Sequence, residues 1–100
     1  MIMLYISCKN NAEAKKISKN LLKKKIIACA NIFPIESMYN WKGKLVEDKE
    51  VVLILKALNK DYKKVRDELK KMHSYDVPFI GKINVKVNEE YENWAKKEVI

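Results

Sequence analysis

Residues Ile26 to Ala57 read IIACANIFPIESMYNWKGKLVEDKEVVLILKA, and how this stretch folds back on itself decides the architecture. Its first half carries no helical spacing. Ile27, Cys29, Asn31, Phe33 and Ile35 share one parity, the alternation of an extended strand. Pro34 cannot donate to a ladder, so the strand is expected to bend there or to lie at a sheet edge. Trp41-Lys42-Gly43-Lys44 supplies a hairpin turn, with Gly43 free to take a positive φ. The return strand runs from about Leu45 to Ala57. Val51, Leu53, Leu55 and Ala57 give it one wholly apolar face, while the other reads Glu50, Val52, Ile54, Lys56.

Working outward, residues 2–8 alternate as well, with Ile2, Leu4, Ile6 and Cys8 on one face and Met3, Tyr5 and Ser7 on the other. Asn10 offers an N-cap and Glu13, three residues on, completes a capping box. Ala14, Ile17, Leu21 and Leu22 then follow at helical spacing, and this helix is expected to reach about Lys25. Beyond the hairpin, Asn59 or Asp61 starts a second helix with Tyr62, Val65, Leu69 and Met72 as its apolar stripe, ending near His73. After the loop Ser74-Tyr75-Asp76-Val77-Pro78, a fourth strand is expected over about Phe79–Val87, with Phe79, Ile83, Val85 and Val87 inward. Glu89, Glu90, Tyr91, Trp94 and Ala95 form a short third helix. The order strand, helix, strand, strand, helix, strand is that of an α+β, split βαβ, ferredoxin-like domain. Its antiparallel sheet carries two helices on one face, with a C-terminal helix added. The second sheet face would be polar in a monomer. Here Val52 and Ile54 lie on it, and the hairpin adds Met38, or Tyr39 and Trp41, so self-association is expected.

One hundred residues, 48% apolar and 34% charged, make a single globular domain spanning 1–100. No apolar run approaches the ~20 residues a membrane-spanning helix needs. Met1 to Ile6 lacks a basic lead and is read as a strand, not a signal peptide. Two cysteines make no disulfide framework, which points to free thiols in the cytoplasm. The net charge of +8 comes from twenty lysines and one arginine, Arg66. Bidentate recognition of bases and phosphates favours arginine, so this balance argues for a solvated surface over a nucleic-acid site.

The chemical inventory is short. With one histidine, no multi-histidine metal site fits within one chain, and with two glycines no phosphate-cradling loop is credible. Ser7, Ser18, Ser37 and Ser74 sit in no nucleophile motif, and no catalytic constellation is evident. Arg66 lies mid-helix, where it cannot serve an acylphosphatase-like loop. Cys8 closes the first strand and His73 the second helix. These two ends need not be adjacent within one chain but could meet across a subunit boundary, where Cys8, Met72 and His73 would offer thiolate, thioether and imidazole. That donor set suits Cu(I) and, less selectively, Zn(II); the alternative is that all three serve the core and a helix end. Tyr39 and Trp41 flank the hairpin, and Tyr91 and Trp94 share one helix face. They are read as anchors for a neighbouring chain, a role in which such side chains are enriched.

Taken together, Ala28-Cys29-Ala30-Asn31-Ile32-Phe33-Pro34, Ser37-Met38-Tyr39-Asn40-Trp41-Lys42-Gly43-Lys44, Glu50 through Lys56, His73-Ser74-Tyr75-Asp76-Val77-Pro78, and Tyr91 with Trp94 resemble the CutA divalent-cation-tolerance family over essentially the whole chain. The resemblance implies a ferredoxin-like subunit in a homotrimer similar to PII signalling proteins, with Glu50 and Lys56 in or near an intersubunit region. It implies a role in the response to metal ions, copper binding in particular, and no catalysis. The ligands proposed in some members are a cysteine ending the first strand, matched by Cys8, and a histidine pair, of which His73 matches the second and Met72 replaces the first. Phe79 stands where the family often has glutamate. The same trimer leaves a second reading, a signalling or scaffold module that binds a small molecule or partner protein in intersubunit clefts near Tyr39, Trp41, Lys56 and Trp94.

Overall fold

The computed structural model describes residues 1–100. Strand β1 (Ile2–Cys8) leads into helix α1 (Asn11–Lys23). The hairpin β2 (Cys29–Trp41) and β3 (Lys44–Ala57) follows, then a 3-10 turn (Asn59–Asp61) and helix α2 (Tyr62–Met72). Strand β4 (Ile80–Asn84) and helix α3 (Glu89–Glu98) complete the chain. The sheet is antiparallel throughout in the order β2-β3-β1-β4, the ferredoxin-like arrangement. No helix is long and apolar enough to cross a membrane.

The apolar parities meet under α1 and α2. Ile2, Leu4, Ile6 and Cys8 of β1 and Val51, Leu53, Leu55 and Ala57 of β3 pack with Ala14, Ile17, Leu21, Val65 and Leu69. Burial of each large aliphatic side chain contributes ~1.5–3 kcal/mol. A smaller cluster of Ala28, Leu58, Ala95 and Val99 seats α3. Leu22 is 43% exposed, and Ser18 takes its place inside because its hydroxyl donates to the Ala14 carbonyl at 2.7 Å.

Two expectations are corrected. Helix α1 stops at Lys23, because Lys25 takes φ 56° and closes a Schellman motif. In it the Ile26 amide donates to Leu21 O and the Lys25 amide to Leu22 O. Strand β4 is shorter than expected and its inward parity is the other one. Ile80, Lys82 and Asn84 register with Ile6, Leu4 and Ile2, which face the helices. Phe79 and Ile83 therefore lie on the open face, 62% and 53% exposed, and the Phe79 ring meets Tyr5 edge-on.

The hairpin turns tightly at Lys42 and Gly43, with φ of 50° and 77°, the pair of positive values a type I′ turn requires. Pro34 stays in β2 because that strand is at the sheet edge. The pairing of β1 with β3 ends at Cys8 and Val51, so the hairpin from Ile35–Glu50 outward has no third strand beside it. This extension makes the molecule 47 Å long against 25 and 20 Å across. It leaves Met38, Tyr39, Trp41 and Leu45 exposed.

Candidate metal centre

Three elements converge where β1 ends. Cys8 is its last residue and is fully buried. Asn10 caps α1, its side-chain oxygen accepting the Glu13 amide at 2.9 Å, and this fixes Glu13 in the first helical turn. His73 caps the C-terminal end of α2 and is 8% exposed. One ligand atom from each of Cys8, Glu13 and His73 lies within 4.8 Å of the others. Cys8 and His73 thus meet within one chain, since the sheet order brings the end of α2 over the end of central β1.

The oxygen and nitrogen donors have partners in the fold. Glu13 Oε1 accepts from the Lys9 amide and Oε2 from the Ser74 amide, both at 3.0 Å. The carboxylate closes back on Lys9, one residue before the cap, so the capping box is displaced by one position. His73 Nε2 stands 2.7 Å from Ser7 O, and Nδ1 is 3.1 Å from the Tyr75 amide. A carbonyl only accepts and an amide only donates, so the imidazole is neutral with its proton on Nε2. The Tyr75 ring lies 4.7 Å from the His73 ring, and its hydroxyl donates to Glu50 Oε2 at 2.6 Å.

Electrostatics follow from that packing. Burial, and then the charges of Glu13 and Glu50, push the Cys8 thiol up to about 12. Burial works to raise the Glu13 carboxyl, but hydrogen bonds from Ser74 and Lys9 hold it below its ordinary value. Burial and the Glu50 carboxylate raise the Tyr75 hydroxyl. Sulfur, oxygen and nitrogen donors from three elements form a mixed set whose chemistry fits a borderline divalent cation.

Met72 ends α2 one residue before His73 and packs against the core that holds Cys8. Its Sδ accepts from Asn20 Nδ2 at 2.8 Å, which turns it toward α1. It lines, with Glu13 and Ser74, a surface cleft of about 410 Å3 beside the site. The cluster adds a donor the sequence reading did not name, Glu13. The sequence showed that residue as a helix cap, and a capping role accounts for it so fully that nothing in the spacing marks it as a ligand. The remaining candidates lie elsewhere. Tyr39 and Trp41 are on the hairpin, 43% and 62% exposed. Lys56 Nζ sits 5.6 Å from the centre of the Tyr91 ring, and the Tyr91 and Trp94 rings are 5.4 Å apart. Of the residues expected at an interface, Glu50 alone reaches the candidate ligand cluster, through Tyr75.

Known proteins share this sequence and shape. The model of the CutA1 divalent ion tolerance protein family matches residues 2–98. The divalent-cation tolerance protein CutA of Thermotoga maritima is 41% identical, with 100% of both chains covered. The crystal structure of CutA1 from Pyrococcus horikoshii superposes with a TM-score of 0.96 at 40% identity, covering 100% of this chain and 99% of that one. A PII-like protein CutA from Nostoc, 25% identical, superposes with a TM-score of 0.91 over 100% of this chain and 98% of its own. A family match over nearly the whole chain, on a fold already established strand by strand, has one meaning: the chain belongs to the CutA1 divalent ion tolerance protein family.

Proposed function

We propose that this protein works in divalent-cation tolerance as a cytoplasmic, non-catalytic homotrimer that binds copper(II) or another borderline divalent cation at Cys8, Glu13 and His73. The observation that carries the reading is the approach of those three ligand atoms to within 4.8 Å inside one chain. The Glu13 carboxylate moves the donor set from one suited to Cu(I) toward one suited to divalent ions. The trimer is supported by the exposed apolar side chains of the projecting hairpin and by the free edge of β2. Calorimetric titration of copper(II) and zinc(II) tests the site. The expected result is one ion per chain, and its loss in a Cys8→Ala, His73→Ala double variant that keeps the parent's mass in solution. Unchanged binding by that variant overturns the assignment.

A second reading has its own observation. An apolar pocket of about 360 Å3 beside Lys56, Lys86 and Tyr91 opens near α3, and the buried Tyr91 hydroxyl has only the Cys29 thiol beside it, short of a well-formed hydrogen bond. This favours a small ligand or partner chain docking there. A screen of small anionic metabolites reads it through shifts in unfolding temperature, and it fails if none moves the transition.

A further inference from the structure

His73 is the only histidine, and the two bonds on its ring decide how a cation gains access. A cation that takes Nδ1 displaces the Tyr75 amide directly, because that amide occupies the lone pair. A cation that takes Nε2 breaks the bond to Ser7 O, and the ring proton then sits on Nδ1, facing the Tyr75 N–H donor to donor. A neutral imidazole has no third arrangement. Either route therefore expels the Tyr75 amide from His73.

Tyr75 does not leave freely. Its hydroxyl is bonded to Glu50 Oε2 at 2.6 Å. Glu50 pairs with Ile35 at the root of the projecting hairpin, one residue beyond the last pair that β3 makes with β1. Ser74, the residue before it, holds Glu13 Oε2 by its own amide. The loop after α2 thus grips two of the three ligands, and it is pinned to the sheet by one charge-assisted hydrogen bond.

We infer that Tyr75 is a positioning residue for the metal site. Its hydroxyl, anchored on Glu50, holds its amide on His73 and keeps the site closed until a cation displaces it. This rests on the proposed cation site and adds what regulates it. It makes cation entry and release of the loop 74–78 one event, felt at the hairpin root through Glu50.

The test uses zinc(II) and the whole protein, followed by proton–nitrogen NMR and by titration. In the zinc-free protein the single imidazole is expected as the Nε2–H tautomer, with the Tyr75 amide protected from exchange. Zinc is expected to shift both imidazole nitrogens and abolish that protection. Tyr75→Phe keeps the ring against His73 and removes the anchor, so zinc affinity is expected to rise roughly tenfold, the order of one hydrogen bond to a charged group. A merely structural role would leave affinity unchanged or lower it. The inference is overturned if zinc binds, and Cys8→Ala abolishes binding, while the Tyr75 amide stays protected and Tyr75→Phe binds zinc as the parent does. Zinc that leaves the His73 nitrogens unmoved contradicts the site itself, and the inference with it. If Tyr75→Phe does not fold, the exchange measurement on the parent protein decides alone.

Discussion

Cys8 is held as a thiol because it is buried beside two carboxylates, and its pKa of about 12 against an ordinary 9.0 has a consequence for stability. The unfolded chain releases this proton near pH 9, whereas the folded chain retains it. The stabilisation is complete below pH 9 and is lost as pH rises toward 12, at up to about 1.4 kcal/mol per unit. Metal-free protein is expected to lose stability over that window, and Cys8→Ala is expected to show a shallower fall. Urea unfolding at pH 8, 9, 10 and 11 measures both, and parallel curves contradict the account. Asp61 is the other buried acid. It is 1% exposed, Oδ1 lies 3.3 Å from Lys60 Nζ, and Oδ2 has no partner. A buried carboxylate satisfied on one side only offers little net stability, so Asp61→Leu is expected to be neutral or stabilising by about 1–2 kcal/mol. A melting temperature well below the parent's refutes this. At this scale Cys8 and His73 were legible, since each is a rare, chemically capable residue at the end of an element. Glu13 was hidden by its work as a cap. The turning of Met72 toward Asn20 depends on how α1 and α2 pack, which spacing within one helix does not reveal.

The elements themselves were legible wherever one rule dominated. Period-two alternation gave β1 and the return strand, and the Lys42-Gly43 turn fixed the register of the hairpin down to Trp41 opposite Lys44. Strand β4 was misread because Phe79, Ile83, Val85 and Val87 are its most apolar parity. Its orientation is set instead by pairing with β1, which puts Ile80 and the stem of Lys82 on the helix side, with Lys82 Nζ 5.0 Å from the Tyr62 ring centre. The end of α1 was misplaced by two residues, because a lysine with positive φ leaves no sequence signal. That residue yields a prediction for the element. Lys25 holds the position in a Schellman motif that glycine occupies without strain. Lys25→Gly is expected to stabilise the fold by ~0.5–1 kcal/mol, since it removes the clash of the side chain with its own backbone. Chemical denaturation checks it, and a loss of stability there contradicts the motif.

The molecule as a whole has two features that a lone subunit does not explain. A long hairpin extends past the sheet with Met38, Tyr39, Trp41 and Leu45 exposed, and the open sheet face carries Phe33, Ile83 and Phe79 in contact with solvent. In the proposed homotrimer these surfaces are expected to be buried between subunits. Trp41→Asp is expected to shift sedimentation equilibrium from trimer toward monomer, while a trimer as tight as the parent's contradicts the use of the hairpin. The sequence already carried the expectation of association, through Val52 and Ile54 on the face a monomer would keep polar. It did not carry the geometry that joins the hairpin root to the metal cluster, because Glu50 and Tyr75 are 25 residues apart and meet only when the sheet is assembled. The central claim is that a divalent cation is held by Cys8, Glu13 and His73, and X-ray absorption at the zinc edge of loaded protein tests it most directly. One sulfur at about 2.3 Å with nitrogen and oxygen at about 2.0–2.2 Å is the expected shell. A shell of nitrogen and oxygen alone, without sulfur, contradicts it.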